Sequence, residues 1–203
     1  MSSKRKQVSS NMLWSIFERL SSQIIAFVVS LMLARLILPE VYGVVMVVSA
    51  VVNIFSMLVQ SSFYTSLVYA DADIRHYSTA FWSILAITGL LYVGLFFMSP
   101  LIAMYYGTPE ITMYFRVMSL LFILQGIQSI PHAYIAKKML FRKNYIATII
   151  GIVVSAAVAI FLASKGYGAW ALVVMGSVEV LVSTAVLWVI LKFKIAWYFD
   201  FKI

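Results

Sequence analysis

Six stretches of this chain are longer and oilier than a water-soluble fold needs, and they leave few structures open to it. They run from about Met12 to Leu38, Val44 to Tyr69, Thr79 to Tyr105, Ile111 to Ala136, Tyr145 to Ala163 and Ala169 to Leu191. A helix that crosses the hydrocarbon core needs about 20 mostly apolar residues. Lipid offers no partner for backbone N–H and C=O groups, so only helices and closed barrels can span it. Barrel strands are alternating segments of about ten residues. These runs are continuous and about twice that length, so helices are expected. The chain therefore reads as an all-α, polytopic transmembrane helix bundle of about six helices.

Composition agrees. Hydrophobic residues make up 64% of the 203 and charged residues 11%, with a mean hydropathy of +1.01. A soluble domain is roughly half apolar and a quarter charged. There are no cysteines, so disulfides, thiolate metal sites and cysteine nucleophiles are excluded. The net charge of +8 sits in short runs between apolar segments, which fits membrane orientation and gives no sign of a nucleic-acid partner.

The turns follow from local chemistry. Pro39, Glu40 and Gly43 mark a tight turn after the first helix. Polar residues from Asp71 to Ser78 separate the second and third helices, and a basic linker from Lys137 to Asn144 leads into the fifth. The stretch after Lys4, Arg5 and Lys6 is broken by Glu18 and Arg19 and has no small-residue cleavage site. It reads as a retained spanning helix rather than a signal peptide.

Orientation follows from the basic residues. Lys4, Arg5, Lys6, Arg75, Lys137, Lys138, Arg142, Lys143, Lys192, Lys194 and Lys202 fall on one side. Lys165 and Arg35 fall on the other. Both termini are expected in the cytoplasm.

Polar side chains at bilayer depth cost roughly 2.5–3.5 kcal/mol each for Arg, Lys or Asp at a helix centre, and they normally face protein or a wet cavity. On the first helix Ser15, Arg19, Ser22, Gln23, Ala26 and Ser30 recur at helical spacing on one face. On the second, Ser49, Asn53, Ser56 and Gln60 form a stripe. Gln125, Gln128, Ser129 and His132 form another on the fourth, and Gly176, Glu179 and Ser183 a short one on the sixth. Helices that hide polar faces from lipid do so around a shared hydrophilic cavity. The cavity candidates are Arg19, Ser15, Gln23, Asn53, Ser56, Gln60, Gln125, Gln128 and Glu179. Each stripe also has a plainer reading as interhelical packing, and Arg19 with Glu179 could form one buried pair. Glu18 and Arg35 lie near opposite ends of the first helix, where they can snorkel to headgroups. On the fifth helix, Gly151, Ser155 and Ala159 form a small-xxx-small pattern that lets helices pack closely. Lys137, Lys138, Arg142 and Lys143 set orientation, and they are also candidates to contact anionic lipid headgroups or a lipid-linked pyrophosphate.

Several stretches resemble the Wzx-type flippases of lipid-linked oligosaccharides, in the superfamily that also holds multidrug exporters and lipid II flippases. They are Trp14-Ser15 with Arg19 and Gln23, the run from Leu33 to Gly43, Gln128-Ser129-Ile130-Pro131, Lys137 to Arg142, and Gly166 to Leu172. The run LARLILPEVYG is the most specific. The resemblance implies one six-helix lobe of a transporter with about twelve helices, residues 192–203 beginning the linker to a second lobe. It implies a bacterial inner-membrane location and a polyprenyl-diphosphate-linked oligosaccharide as cargo. It implies alternating access driven by an ion gradient, with no cofactor, and a cationic cavity, to which Arg19 and its face-mates are carried over. Arg35, Pro39, Glu40 and Gly43 match the motif before and within the turn and are packing or gating candidates.

A multidrug-type lobe of the same superfamily is the alternative. A membrane-embedded lipid-modifying enzyme fits less well. Only Asp71 and Asp73 lie close among the acids, with His76 nearby, and neither G-x-S-x-G nor H-E-x-x-H occurs. A non-transporting partner subunit is a third reading.

Overall fold

A computed structural model describes the backbone of residues 2–69 and 74–191, and side chains for Trp14, residues 16–57 and residues 77–191. Ser15, Gln60, the Asp71–His76 acidic stretch and the C-terminal residues 192–203 lie outside what is described of side chains. Among the described residues the chain is all helix: α1 Ser2–Leu36, α2 Pro39–Tyr69, α3 Ile74–Tyr106, α4 Ile111–Ser119, α5 Leu121–Lys138, α6 Phe141–Ser164 and α7 Ala169–Leu191. Six stretches are long and apolar enough to cross a membrane, α4 and α5 together making the fourth. This is a multi-pass membrane protein.

Three details differ from expectation. Pro39 opens α2 instead of lying in a turn, so the α1–α2 connection shrinks to Ile37 and Leu38. Proline suits the first helical position because its missing N–H has no helical partner there, and Glu40 complements the helix dipole. The fourth span is broken at Leu120. Ser119 Oγ donates to the Phe115 carbonyl four residues back, a bond that bends helices, and Leu120 N–H then bonds to Val117 O at 3.2 Å in a tighter turn. The basic linker contracts to Met139 and Leu140, because α5 runs through Lys138 and α6 starts at Phe141.

Three turns close by the same pair of bonds. At the end of α6, Gly166 N–H bonds to Ala163 O and Tyr167 N–H to Leu162 O. This geometry needs a left-handed residue, and Gly166 supplies it with φ of 82°. After α3, Gly107 plays that part. After α5 the residue is Met139, with φ of 54°.

α6 lies between α1 and α7, α7 reaches α5, and α5 carries α2 and α3; α4 touches α2, α3 and α7. Much of the outside is apolar: Phe17, Leu20, Ile24 and Phe27 on α1, and Leu90, Phe97 and Leu101 on α3, are exposed. With lipid outside, burial of oil drives little helix association, so close packing and interhelical polar contacts carry it. The close approaches are visible. A Cβ on Gly126 would come within 2.8 Å of Ile84 Cγ2 on α3. One on Gly151 would come within 3.0 Å of Glu179 O and of Ser183 Cβ on α7. Gly151, Ser155 and Ala159 are all buried.

Candidate functional site

The polar faces of four spans reach one hollow of about 340 Å³. α1 contributes Ala26 and Ser30, and α2 contributes Tyr42, Ser49 and Asn53. Met118, Leu121 and Gln125 come from either side of the Leu120 break, and Gly176 and Glu179 from α7. All these segments lie in the half of the bundle that holds the α1–α2 and α6–α7 turns. Glu179 is ten residues beyond Ala169, which at about 1.5 Å per residue sets it about 15 Å deep, near the middle of a ~30 Å hydrocarbon core.

Of the sequence candidates, Asn53, Gln125 and Glu179 stand on this wall. Ser56 is buried one turn beyond Asn53, its Oγ without a partner. Gln128 Nε2 donates to Ser183 Oγ at 2.8 Å and ties α5 to α7 below the hollow. Arg19 and Gln23 lie on the exposed side of α1. Arg19 is seven residues, about 10 Å, from Ala26, the first α1 residue on the wall. Arg19 and Glu179 therefore form no pair, and among the described residues no Lys, Arg or His lines the hollow. Arg35, Pro39, Glu40 and Gly43 are exposed at the α1–α2 junction.

In the other half of the bundle the described side chains include packed aromatic pairs. Tyr77 and Tyr134 meet edge to face at 6.1 Å, and Phe81 and Trp188 at 6.3 Å. Glu18, expected to snorkel, is instead held by α6: its Oε1 accepts from Asn144 Nδ2 at 2.6 Å and from Thr148 Oγ1 at 3.2 Å. The physical reason is position, since α6 begins beside it and the positive N-terminal end of a helix favours a carboxylate. Trp14 packs on Tyr145 at 5.5 Å, with the Arg142 guanidinium 5.7 Å from its ring. Lys143 Nζ donates to Ile190 O at 3.5 Å near the end of α7, while Lys138 and Arg142 are exposed and Lys137 half-buried.

Sequence reasoning missed the use of Arg116. Pro100 lacks the N–H that would have bonded the Phe96 carbonyl. Ser99 Oγ donates to that carbonyl at 2.7 Å, and Arg116 Nε donates to Ser99 Oγ at 3.2 Å. The guanidinium lies 4.1 Å from the Phe96 ring. The signal was present as a proline inside an apolar run, but its partner lies on another span.

Residues 32–203 match the family described as "Polysaccharide biosynthesis protein". The chain belongs to that family. It is 30% identical over 189 residues to the succinoglycan biosynthesis transport protein ExoT of Rhizobium meliloti (strain 1021), an alignment that covers 93% of this chain and 38% of that protein. The chain thus spans well under half the length of the curated relative it matches. No solved structure matches it. The family match includes every segment that lines the hollow except Ala26 and Ser30 on α1.

Proposed function

We propose that this chain forms one lobe of a bacterial inner-membrane exporter that flips polyprenyl-diphosphate-linked oligosaccharide repeat units by ion-coupled alternating access. The observation that carries the reading is the convergence of polar faces from four separate spans on one mid-membrane hollow. Polar groups at that depth are expensive and face a protein interior or a wet cavity. A polar hollow walled by several spans is what a transporter needs where it holds its cargo or ion. Membership of a polysaccharide biosynthesis family, and a relative named as a transport protein, supply the cargo class.

A second six-helix lobe is the partner this reading requires. Arg19 and Gln23 sit on an exposed face of α1, Arg19 three residues into the span that begins at Ile16. A second lobe would cover that face and let Arg19 meet the anionic cargo across the passage.

The test is export. Asn53→Leu with Gln125→Leu, in the native polypeptide that carries this segment, should lower surface glycan about tenfold or more in an export-deficient host while leaving insertion intact. Unchanged export would overturn the reading. One observation favours a second possibility, a multidrug-type exporter: the charged residue on the wall is a carboxylate, which suits cationic cargo. Dye efflux that depends on Glu179, without glycan export, would select it.

A further inference from the structure

A second recess, of about 510 Å³, opens on the other side of α2. Gly43, Val47 and Val51 line it from α2, Leu101 and Tyr105 from α3, and Ile111 from the start of α4. Ser49 and Asn53 face the polar hollow. Each stands two residues from Val47 or Val51, about 200° around the helix. The recess is therefore separate from the hollow. Val47, Leu101 and Tyr105 are exposed, so it opens outward, toward the bilayer.

Its lining is hydrocarbon apart from tyrosine hydroxyls. Gly43 keeps it open, since a Cβ there would meet nothing within 4 Å. From Gly43 to Val51 is about 12 Å along α2, most of the ~15 Å that one leaflet contributes to the hydrocarbon core. An apolar groove left empty forfeits dispersion contacts. In a membrane the filler is a lipid chain.

The mouth selects the headgroup. Glu40 heads the same stripe of α2, one turn before Gly43 and Val44, and Glu110 directly precedes Ile111. Both are exposed, and neither has an ion-pair partner among the described residues. The Tyr114 hydroxyl donates to Glu110 Oε2 at 3.2 Å, which steadies that carboxylate and leaves Oε1 open. Arg116, the cation of α4, is turned to α3, where Ser99 Oγ and the Phe96 ring hold it. Each carboxylate suits the start of its own helix, but together they set two negative charges over one apolar groove. An anionic headgroup would be repelled there. A primary ammonium would be attracted, and it brings three N–H donors to meet the carboxylate oxygens.

We propose that this groove seats one chain of a phospholipid whose headgroup carries a primary ammonium, phosphatidylethanolamine, with Glu40 and Glu110 receiving the ammonium. The basic residues of the opposite loops place this end of the bundle in the outer leaflet. The site goes beyond the transport reading and does not depend on the cargo.

The experiment uses the native polypeptide that carries this segment, in nanodiscs of equal parts phosphatidylethanolamine, phosphatidylcholine and phosphatidylglycerol. Native mass spectrometry counts the lipid retained, and circular dichroism checks each variant for helix content. Phosphatidylethanolamine should be retained about tenfold over phosphatidylglycerol. Phosphatidylcholine, cationic but without an N–H, should fall between. Glu40→Gln with Glu110→Gln should remove most of that preference while lipid still binds. Gly43→Leu should lower retention of every lipid about tenfold or more, because the side chain fills the groove; leucine forms helix better than glycine, so this variant should fold. Equal retention of the three lipids by the native protein would overturn the proposal, as would a preference that the paired glutamine variant leaves unchanged. Retention that survives Gly43→Leu would overturn it too. So would a polyprenyl phosphate that displaces phosphatidylethanolamine and is itself lost in Gly43→Leu, since the groove would then hold the tail of a cargo. Should the paired variant misfold, Glu40→Gln alone carries the same comparison.

Discussion

Replacing Gly151 with valine tests how α7 is seated. A Cβ at this position would sit 3.0 Å from the Glu179 carbonyl oxygen, 3.0 Å from Ser183 Cβ and 3.4 Å from Ser183 N. Two of these are backbone atoms of α7, which cannot rotate away as a side-chain tip would. An alanine requires α6 and α7 to part by a few tenths of an ångström, while valine adds two more methyl groups on the same side. Overpacking of this kind costs typically 1–3 kcal/mol. Alanine recovers up to about 1 kcal/mol through its helix propensity, so Gly151→Ala should be close to neutral. Gly151→Val should cost about 2 kcal/mol, roughly a 30-fold shift in the folded ratio. Reversible unfolding in mixed micelles measures the effect. A valine variant as stable as the native chain, with α7 undisturbed, would refute the claim of close backbone approach.

Three further outcomes are expected. Met139→Gly should stabilise the protein by about 0.5–1 kcal/mol in a thermal melt, because Met139 holds a left-handed φ of 54° while its side chain is 47% exposed; a loss of stability would contradict that reading. Glu18→Ala should cost about 1–3 kcal/mol and loosen α1 from α6, since it orphans Asn144 and Thr148 together; cysteine cross-linking between the two helices should slow, and an unchanged rate would show that the clasp contributes nothing. Cysteine at Asn53 should react with a water-soluble maleimide while cysteine at the neighbouring Ile54, exposed but off the cavity wall, should not. Equal labelling would mean that the stripe does not border water.

The number of spans was legible in the sequence because insertion depends on local hydropathy, which a run of residues carries by itself. The polar stripe on α2 was legible for a similar reason: 3.6 residues per turn fixes which side chains share a face. The same rule placed Gly151, Ser155 and Ala159 together on α6. Helix ends were less legible. Proline opened α2 where a turn was expected, and the fourth span broke at Leu120 with no glycine or proline there to mark it.

What the sequence could not determine was which faces meet. Arg19 and Ser30 share a periodic face, yet Ser30 lines the hollow while Arg19 lies about 16 Å farther along the axis, beyond the hollow and on the exposed side. Glu18 finds partners 126 and 130 residues away, and Arg116 bonds the serine that fills a gap left by a proline 16 positions earlier on another span. Periodicity is a property of one helix, but a cavity's charge is a property of several helices at one depth. Local pattern therefore marked the polar faces, while the packing of α1, α2, α5 and α7 made the shared hollow one that, among the described residues, holds a carboxylate and no cation.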